Sequence, residues 1–196
     1  LDVDPGKATN RTVITFAGEP ESVINAAFKL IKKASELINM QKHSGEHPRM
    51  GATDVCPLIP ISGISMEEAI IYSKKLAKKV GKELQIPIYL YEHSAEKKYR
   101  KNLADIREGE YEGLASKIND KKWKPDFGPT KFEKIKKSGA TAIGARDFLI
   151  AYNINLNTTS TRRANAIAFD VREKGRILRE NNSLTGKIIK DKNGET

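Results

Sequence analysis

Two of the chain's three histidines, His43 and His47, stand four residues apart in HSGEHPRMGATDVCPLIP, residues 43–60. A glutamate, an arginine, an aspartate and two glycines surround them, and an apolar, β-branched run follows. Loops at strand ends are where a rigid scaffold presents its chemistry. The pattern His43-x-x-Glu46-His47 matches H-x-x-E-H, a zinc-protease motif whose imidazoles share one helix face. That mechanism needs an unbroken helix. Gly45 lies inside the motif and Pro48 follows His47, and a residue before proline is pushed out of helical geometry. A zinc site also needs a third protein ligand, and no downstream helix obviously offers a glutamate for it. Zinc is thereby disfavoured, and two further readings stand beside it. One is a polar turn without chemistry. The other is an imidazole held in a rigid turn as a proton shuttle near neutral pH.

The elements that must position this loop follow from periodicity. Residues 11–16 (RTVITF) read as a strand, broken by Gly18-Glu19-Pro20. Residues 21–40 carry apolar side chains at helical spacing, from Val23 and Ile24 to Leu37 and Ile38, with lysines on the other face. The histidine loop comes next, then a strand over 54–61. Ser65-x-x-Glu68 forms a capping box that opens a helix ending near Leu84. A short strand is expected over 86–91, charged helices over 96–107 and 110–117, and a Pro/Gly loop over 123–130. The small residues of 139–145 lead into an expected strand over 148–156. A helix over 161–173 follows, with Gly175 as its C-cap and turn signals in the tail. Alternating strands and helices point to an α/β (α+β) fold with a mixed sheet.

Other candidates carry less. Cys56, the only cysteine, reads as a buried reduced thiol inside an apolar run and fits a reducing compartment. Gly139-Ala-Thr-Ala-Ile-Gly144 is neither a dinucleotide fingerprint nor a P-loop, and reads as close backbone approach at a strand entry. Thr185-Gly186-Lys187 is not a Walker motif, because Ile188 stands where Ser or Thr is needed. His93, between Glu92 and Ser94, reads as a surface residue.

At 196 residues the chain can bury one sizeable core. No apolar run is long enough to span a membrane, and no signal-peptide pattern opens the sequence. A net charge of +10 predicts a field that attracts anions. A solvated lysine surface, nucleic acid and a polyanionic small molecule all fit that field. The low aromatic content and the lack of an RNP-type motif argue against base stacking.

The loop residues also carry a resemblance. HxGEHPRMGAxDVCPxIP resembles the signature of the formiminotransferase family, folate-dependent enzymes of histidine breakdown. The likeness extends through LDVDPGKATNRTVITFAG (1–18), PIYLYE (87–92), IREGEYEGL (106–114 with Ile106 first), PDFGPT (125–130), GATAIGARDFLIAYNINL (139–156) and VREKGR (171–176). It implies transfer of a formimino group between tetrahydrofolate and L-glutamate, with tetrahydrofolate as substrate and carrier and no metal. His47 takes the position of the family's catalytic histidine, and His43 is the structural one. Asp4 either orients His47 or tightens the Pro5-Gly6 turn. Arg49 either binds a substrate carboxylate or pins Glu46 or Asp54. Gly128, Pro129, Thr130, Lys131 and Phe132 match the family's folate-contacting loop.

The resemblance also sets expectations for the whole molecule. Residues 1–175 would be most of an N-terminal subdomain lacking its first strand and helix, and 176–196 the start of a second. Helices would layer on one sheet face and leave the other bare. The chain alone would then bind folate weakly and turn over little. Its partners would be folate and L-glutamate in a cytoplasmic homodimer, with no membrane and no nucleic acid. A formyltransferase or 5-formyltetrahydrofolate-processing enzyme of the same fold is the near alternative. A basic nucleic-acid-binding module or an inert scaffold domain would be the more distant ones.

Overall fold

The structure is a computed structural model that describes residues 1–150 and 154–171. Two compact units divide the chain, Leu1–Leu149 and Ile150–Thr196.

The first unit opens with an antiparallel ribbon, β1 (Asp2–Gly6) and β2 (Arg11–Thr15), in which Asp4 faces Val13 and Gly6 faces Arg11. The sequence predicts β2 but not β1. The turn between them ends on Asn10 at φ 47°, a left-handed position that asparagine tolerates better than most residues. The ribbon forms its own sheet, and Val3, Val13, Ile14 and Phe16 on it are exposed.

Helix α1 (Pro20–Leu37) starts on a proline, whose missing N–H is of no consequence in a first turn. Ile24, Ala27 and Ile31 are its buried stripe. It stops three residues short of the expected end. Asn39 then caps a 3-10 turn over Met40–Lys42 by accepting from the Gln41 N–H at 3.2 Å. Helix α2 (Met66–Glu83) carries the expected capping box. Ser65 Oγ accepts from the Glu68 N–H at 3.2 Å, and Glu68 Oε2 accepts from the Ser65 N–H at 2.8 Å.

The main sheet is parallel, with strand order β3 (Val55–Leu58), β5 (Thr141–Ala145), β4 (Ile88–Leu90). Its central strand lies earlier than the sequence pattern suggests. Phe148, Leu149 and Ile150 are exposed and irregular, residues 154–156 form no strand, and 151–153 lie outside the described residues. The TAIGA strand instead runs through the middle, buried at every position. Its small residues are needed there: a Cβ on Gly144 would lie 2.3 Å from the Tyr91 carbonyl oxygen. The expected close approach at this glycine-rich entry is therefore present.

Alternation in the sheet feeds two cores. Ile88, Leu90 and Ile143 pack with α1 and α2 on one face. Tyr89, Tyr91 and Ala142 pack on the other with Ile106 of α3 (Leu103–Arg107) and with Tyr111, Leu114 and Ile118 of α4 (Glu110–Asn119). The two long amphipathic helices do lie on one face, as an α/β layer predicts. The second face is not bare, however. Short helices and loops too brief to show clear periodicity cover it. The exposed apolar side chains sit on the ribbon instead.

Cys56 lies in β3 against the α1–α2 core, and burial pushes its thiol up to about 12. In the second unit α5 (Thr161–Val171) matches the expected helix as far as it is described. Gly175, the expected boundary at 175 and the tail turns lie outside the described residues. Among the described residues no helix is long and apolar enough to cross a membrane.

Candidate active site at the histidine loop

The histidine loop is fastened from both sides. On the ribbon side, Asn10 Nδ2 donates to the Ser44 carbonyl at 2.7 Å and lies 3.3 Å from His43 Nδ1. Gly45 lies against the same turn, where a Cβ would come within 2.5 Å of the Thr9 carbonyl oxygen. On the other side, the Arg49 guanidinium donates to Glu110 at 2.8 Å, to Glu112 at 2.6 Å and to the His43 carbonyl at 3.1 Å. Arg107 pairs with Asp54, whose other carboxylate oxygen accepts from the Met50 N–H at 2.9 Å. The loop is irregular through Arg49, so the helix that H-x-x-E-H zinc chemistry needs is replaced by a clamped turn.

Charge reinforces the clamp. The hydrogen bond from Arg49 holds the Glu112 carboxyl below its ordinary value, and Glu112 in turn raises Arg49. Arg49, with its side chain 17% exposed, thus pins neither Glu46 nor Asp54 but two glutamates at the start of α4. That start is unusual, with Gly109 at φ 82° and Glu110 at φ 52°. A non-glycine residue in the left-handed region is strained, and such strain persists only where surrounding contacts enforce it.

His47 is half-buried and fully partnered. Its Nδ1 lies 2.8 Å from the Pro48 carbonyl oxygen and its Nε2 lies 2.6 Å from Arg11 Nη1. A carbonyl only accepts and a guanidinium only donates. The neutral ring that satisfies both contacts carries its proton on Nδ1 and offers the Nε2 lone pair to Arg11. His47 also lines an open cleft of about 320 Å³ with Pro48, Ala104, Arg107, Glu108, Gly109 and Glu110.

A second cleft, of about 370 Å³, is lined by Lys78, Gly81, Lys82 and Gln85 of the α2 region together with Phe127, Gly128 and Pro129. The two clefts share no lining residue. Gly128 holds φ 87°, and a Cβ there would meet the Ile86 carbonyl oxygen at 2.3 Å. Asp126 fixes the loop by accepting from the Leu90 N–H at 2.8 Å and by pairing with buried Arg100 at 2.9 Å.

The residues singled out in the sequence fall in different places. Gly128 and Pro129 line the second cleft, Thr130 is half-buried and Lys131 is exposed. Phe132 turns its ring toward the core, 6.0 Å from Tyr111. Asp4 is exposed on the ribbon, and its carboxylate has no partner among the described residues. The ring of His47 is oriented by Arg11 and Pro48. His93 pairs with Asp147 at the surface. Sequence reasoning missed Arg11, Arg107, Glu110 and Glu112. Three of these lie in the shared IREGEYEGL block, which was the available signal.

Comparison with known proteins now decides the family. The description "Formiminotransferase domain, N-terminal subdomain" matches residues 1–146. The chain belongs to the formiminotransferase family. It is 54% identical to the formimidoyltransferase-cyclodeaminase of Dictyostelium discoideum, over 90% of this chain and 32% of that protein. It is 46% identical to the glutamate formimidoyltransferase of Thermoplasma acidophilum, over 98% of this chain and 63% of that one. The corresponding Streptococcus pyogenes protein is 46% identical over 89% of this chain and 58% of its own length. The chain thus spans about a third of the fused relatives it matches and somewhat under two thirds of the shorter ones. Within this formiminotransferase subdomain, the histidine loop and the glycine loop occupy separate clefts.

Proposed function

We propose that this chain serves transfer of a formimino group between N5 of tetrahydrofolate and the amine of L-glutamate, with His47 carrying the proton. The observation behind this reading is the state of His47. A carbonyl holds its Nδ1 proton, and its basic Nε2 faces a guanidinium beside an open cleft. A neutral amine attacks the formimino carbon and a bond forms between them. The bond from that carbon to N5 breaks. The proton shed by the amine passes to Nε2 and from there to N5, so atoms and charge balance in either direction.

Tetrahydrofolate is the substrate and carrier. In this reading the loop around Gly128, Pro129, Thr130 and Lys131, with Lys78 and Lys82 beside it, takes the folate, whose carboxylates suit the lysines. Arg49 positions the histidine loop through Glu110 and Glu112 and does not touch substrate. Asp4, unpartnered on the ribbon, remains available to a substrate ammonium or to the folate ring. A cytoplasmic homodimer belongs to the same reading on the family likeness.

The test is His47→Ala in the full-length protein, assayed with 5-formimino- and 5-formyltetrahydrofolate as donors and followed for folate binding by calorimetry. Turnover should fall at least 100-fold, in line with loss of general acid–base catalysis, while folate affinity stays within a few fold. Near-normal turnover in His47→Ala would overturn the assignment. So would transfer of formyl but never of formimino by the unaltered protein.

A further inference from the structure

Arg11 covers the one atom of His47 that could accept a proton. Its Nη1 sits 2.6 Å from Nε2, it reaches there from β2, 36 residues away in sequence, and its guanidinium has no other side-chain partner among the described residues. Arg11 is exposed. A neutral imidazole nitrogen is a weaker acceptor for a guanidinium than a carboxylate, which binds the planar fork through two parallel, charge-assisted bonds. The contact to His47 is therefore one that an incoming carboxylate can displace.

We infer that Arg11 is the anchor for the α-carboxylate of the acceptor amino acid, and that taking this carboxylate uncovers His47 Nε2. The inference rests on the proposed transfer and goes further by assigning the acceptor subsite. In an α-amino acid the carboxylate and the amine sit on the same carbon. A guanidinium that swings from Nε2 to the α-carboxylate leaves the amine beside the nitrogen it has vacated. The base is then freed only when a group of the right chemistry occupies the site. The proton moves from the amine nitrogen to the Nε2 lone pair, and Arg11 neither gains nor loses one. Selectivity for α-amino acids over simple amines follows from this arrangement.

The informative variant is Arg11→Gln. The shorter, uncharged amide loses the charge and the two-pronged grip, while the Pro48 carbonyl still engages Nδ1 and keeps the ring tautomer. Nitrogen-15 spectra of the imidazole should show Nε2 as the unprotonated nitrogen in both proteins. In the unaltered protein saturated with tetrahydrofolate, L-glutamate should shift the Nε2 signal. 4-Aminobutyrate, which is glutamate without its α-carboxylate, should not. L-Glutamine, which keeps the α-carboxylate and lacks the side-chain one, should shift it as glutamate does. In Arg11→Gln the response to glutamate should vanish. KM for glutamate should rise about 10- to 100-fold with kcat changed much less, and the preference for glutamate over 4-aminobutyrate should collapse. Arg11→Lys should restore part of it.

An Arg11→Gln protein with unchanged KM and unchanged preference would overturn the inference and leave Arg11 as a prop for the ring. A shift produced by 4-aminobutyrate but not by glutamine would overturn it too, by placing the side-chain carboxylate at Arg11. Absence of formimino transfer in every protein would instead count against the proposed reaction. The spectra would still decide the role of Arg11.

Discussion

At the residue level the site is a set of long-range arginine contacts around one short loop. The loop itself was legible, because Gly45 and Pro48 rule out a helix and leave His47 in a fixed turn. Its fasteners were not. Arg11, Asp54–Arg107, Arg49–Glu110 and Arg49–Glu112 join residues 36, 53, 61 and 63 positions apart. No local pattern reports such pairs, so Arg49 could be assigned to its nearer carboxylates, Glu46 and Asp54. The clamp has a pH signature. Glu112 has its folded value lowered, first by the hydrogen bond from Arg49, so its stabilising effect is full above the ordinary glutamate value of 4.5. That effect is lost as pH falls below 4.5 toward the lowered value. Glu112→Gln should therefore speed hydrogen exchange in the histidine loop at pH 7. The difference from the unaltered protein should fade as pH falls below 4.5 and Glu112 takes up its proton. A difference that persists once Glu112 itself is protonated, as read from its carboxyl carbon-13 signal, would show that the carboxylate charge is not what holds the loop.

At the level of elements, chemistry at chain ends was easier to read than burial in the middle. The Ser65–Glu68 capping box is present because both partners lie within one turn of helix. Ser65→Ala should cost about 1 kcal/mol in denaturant unfolding, the usual effect of losing a cap. The central strand was harder. TAIGA is short, rich in small residues and without apolar–polar alternation, since both of its faces are buried and the Tyr91 backbone leaves no room for a Cβ at Gly144. The more apolar 148–156 segment drew the strand assignment away from it. β1 was missed because DVDPG reads as a turn. Gly128 offers a sharp test of the glycine loop. Alanine there combines a left-handed φ with an overlap on the Ile86 carbonyl, and it should destabilise the protein by about 1–3 kcal/mol. If the loop takes folate, the same change should weaken folate binding. Equal stability of Gly128→Ala by thermal melting would mean that the loop can relax away from the Ile86 carbonyl.

At the level of the whole first unit, one strand serves two cores. Ala142 belongs to the face covered by α3 and α4, and Ile143 to the face covered by α1 and α2. Each face also carries one of the clefts, with α3–α4 residues lining one and α2 residues the other. A cavity in β5 should thus loosen both. Ile143→Ala, at a fully buried position, should cost about 2–5 kcal/mol. Unfolding should remain a single transition if the cores are coupled through the strand. Two separate transitions would show that they are not.

Cys56 turns that coupling into something that can be timed. It is the only thiol in the chain, and burial in β3 raises it to about 12. Cys56 is half-buried, and at pH 8 little of it is thiolate in the closed sheet, so an alkylating reagent reacts slowly there and faster during excursions that bring β3 further into water. The protein carries its own clock for breathing of the sheet edge, with no label to introduce. Substitutions that weaken β5 should make it run faster, and a ligand that tightens either cleft should slow it.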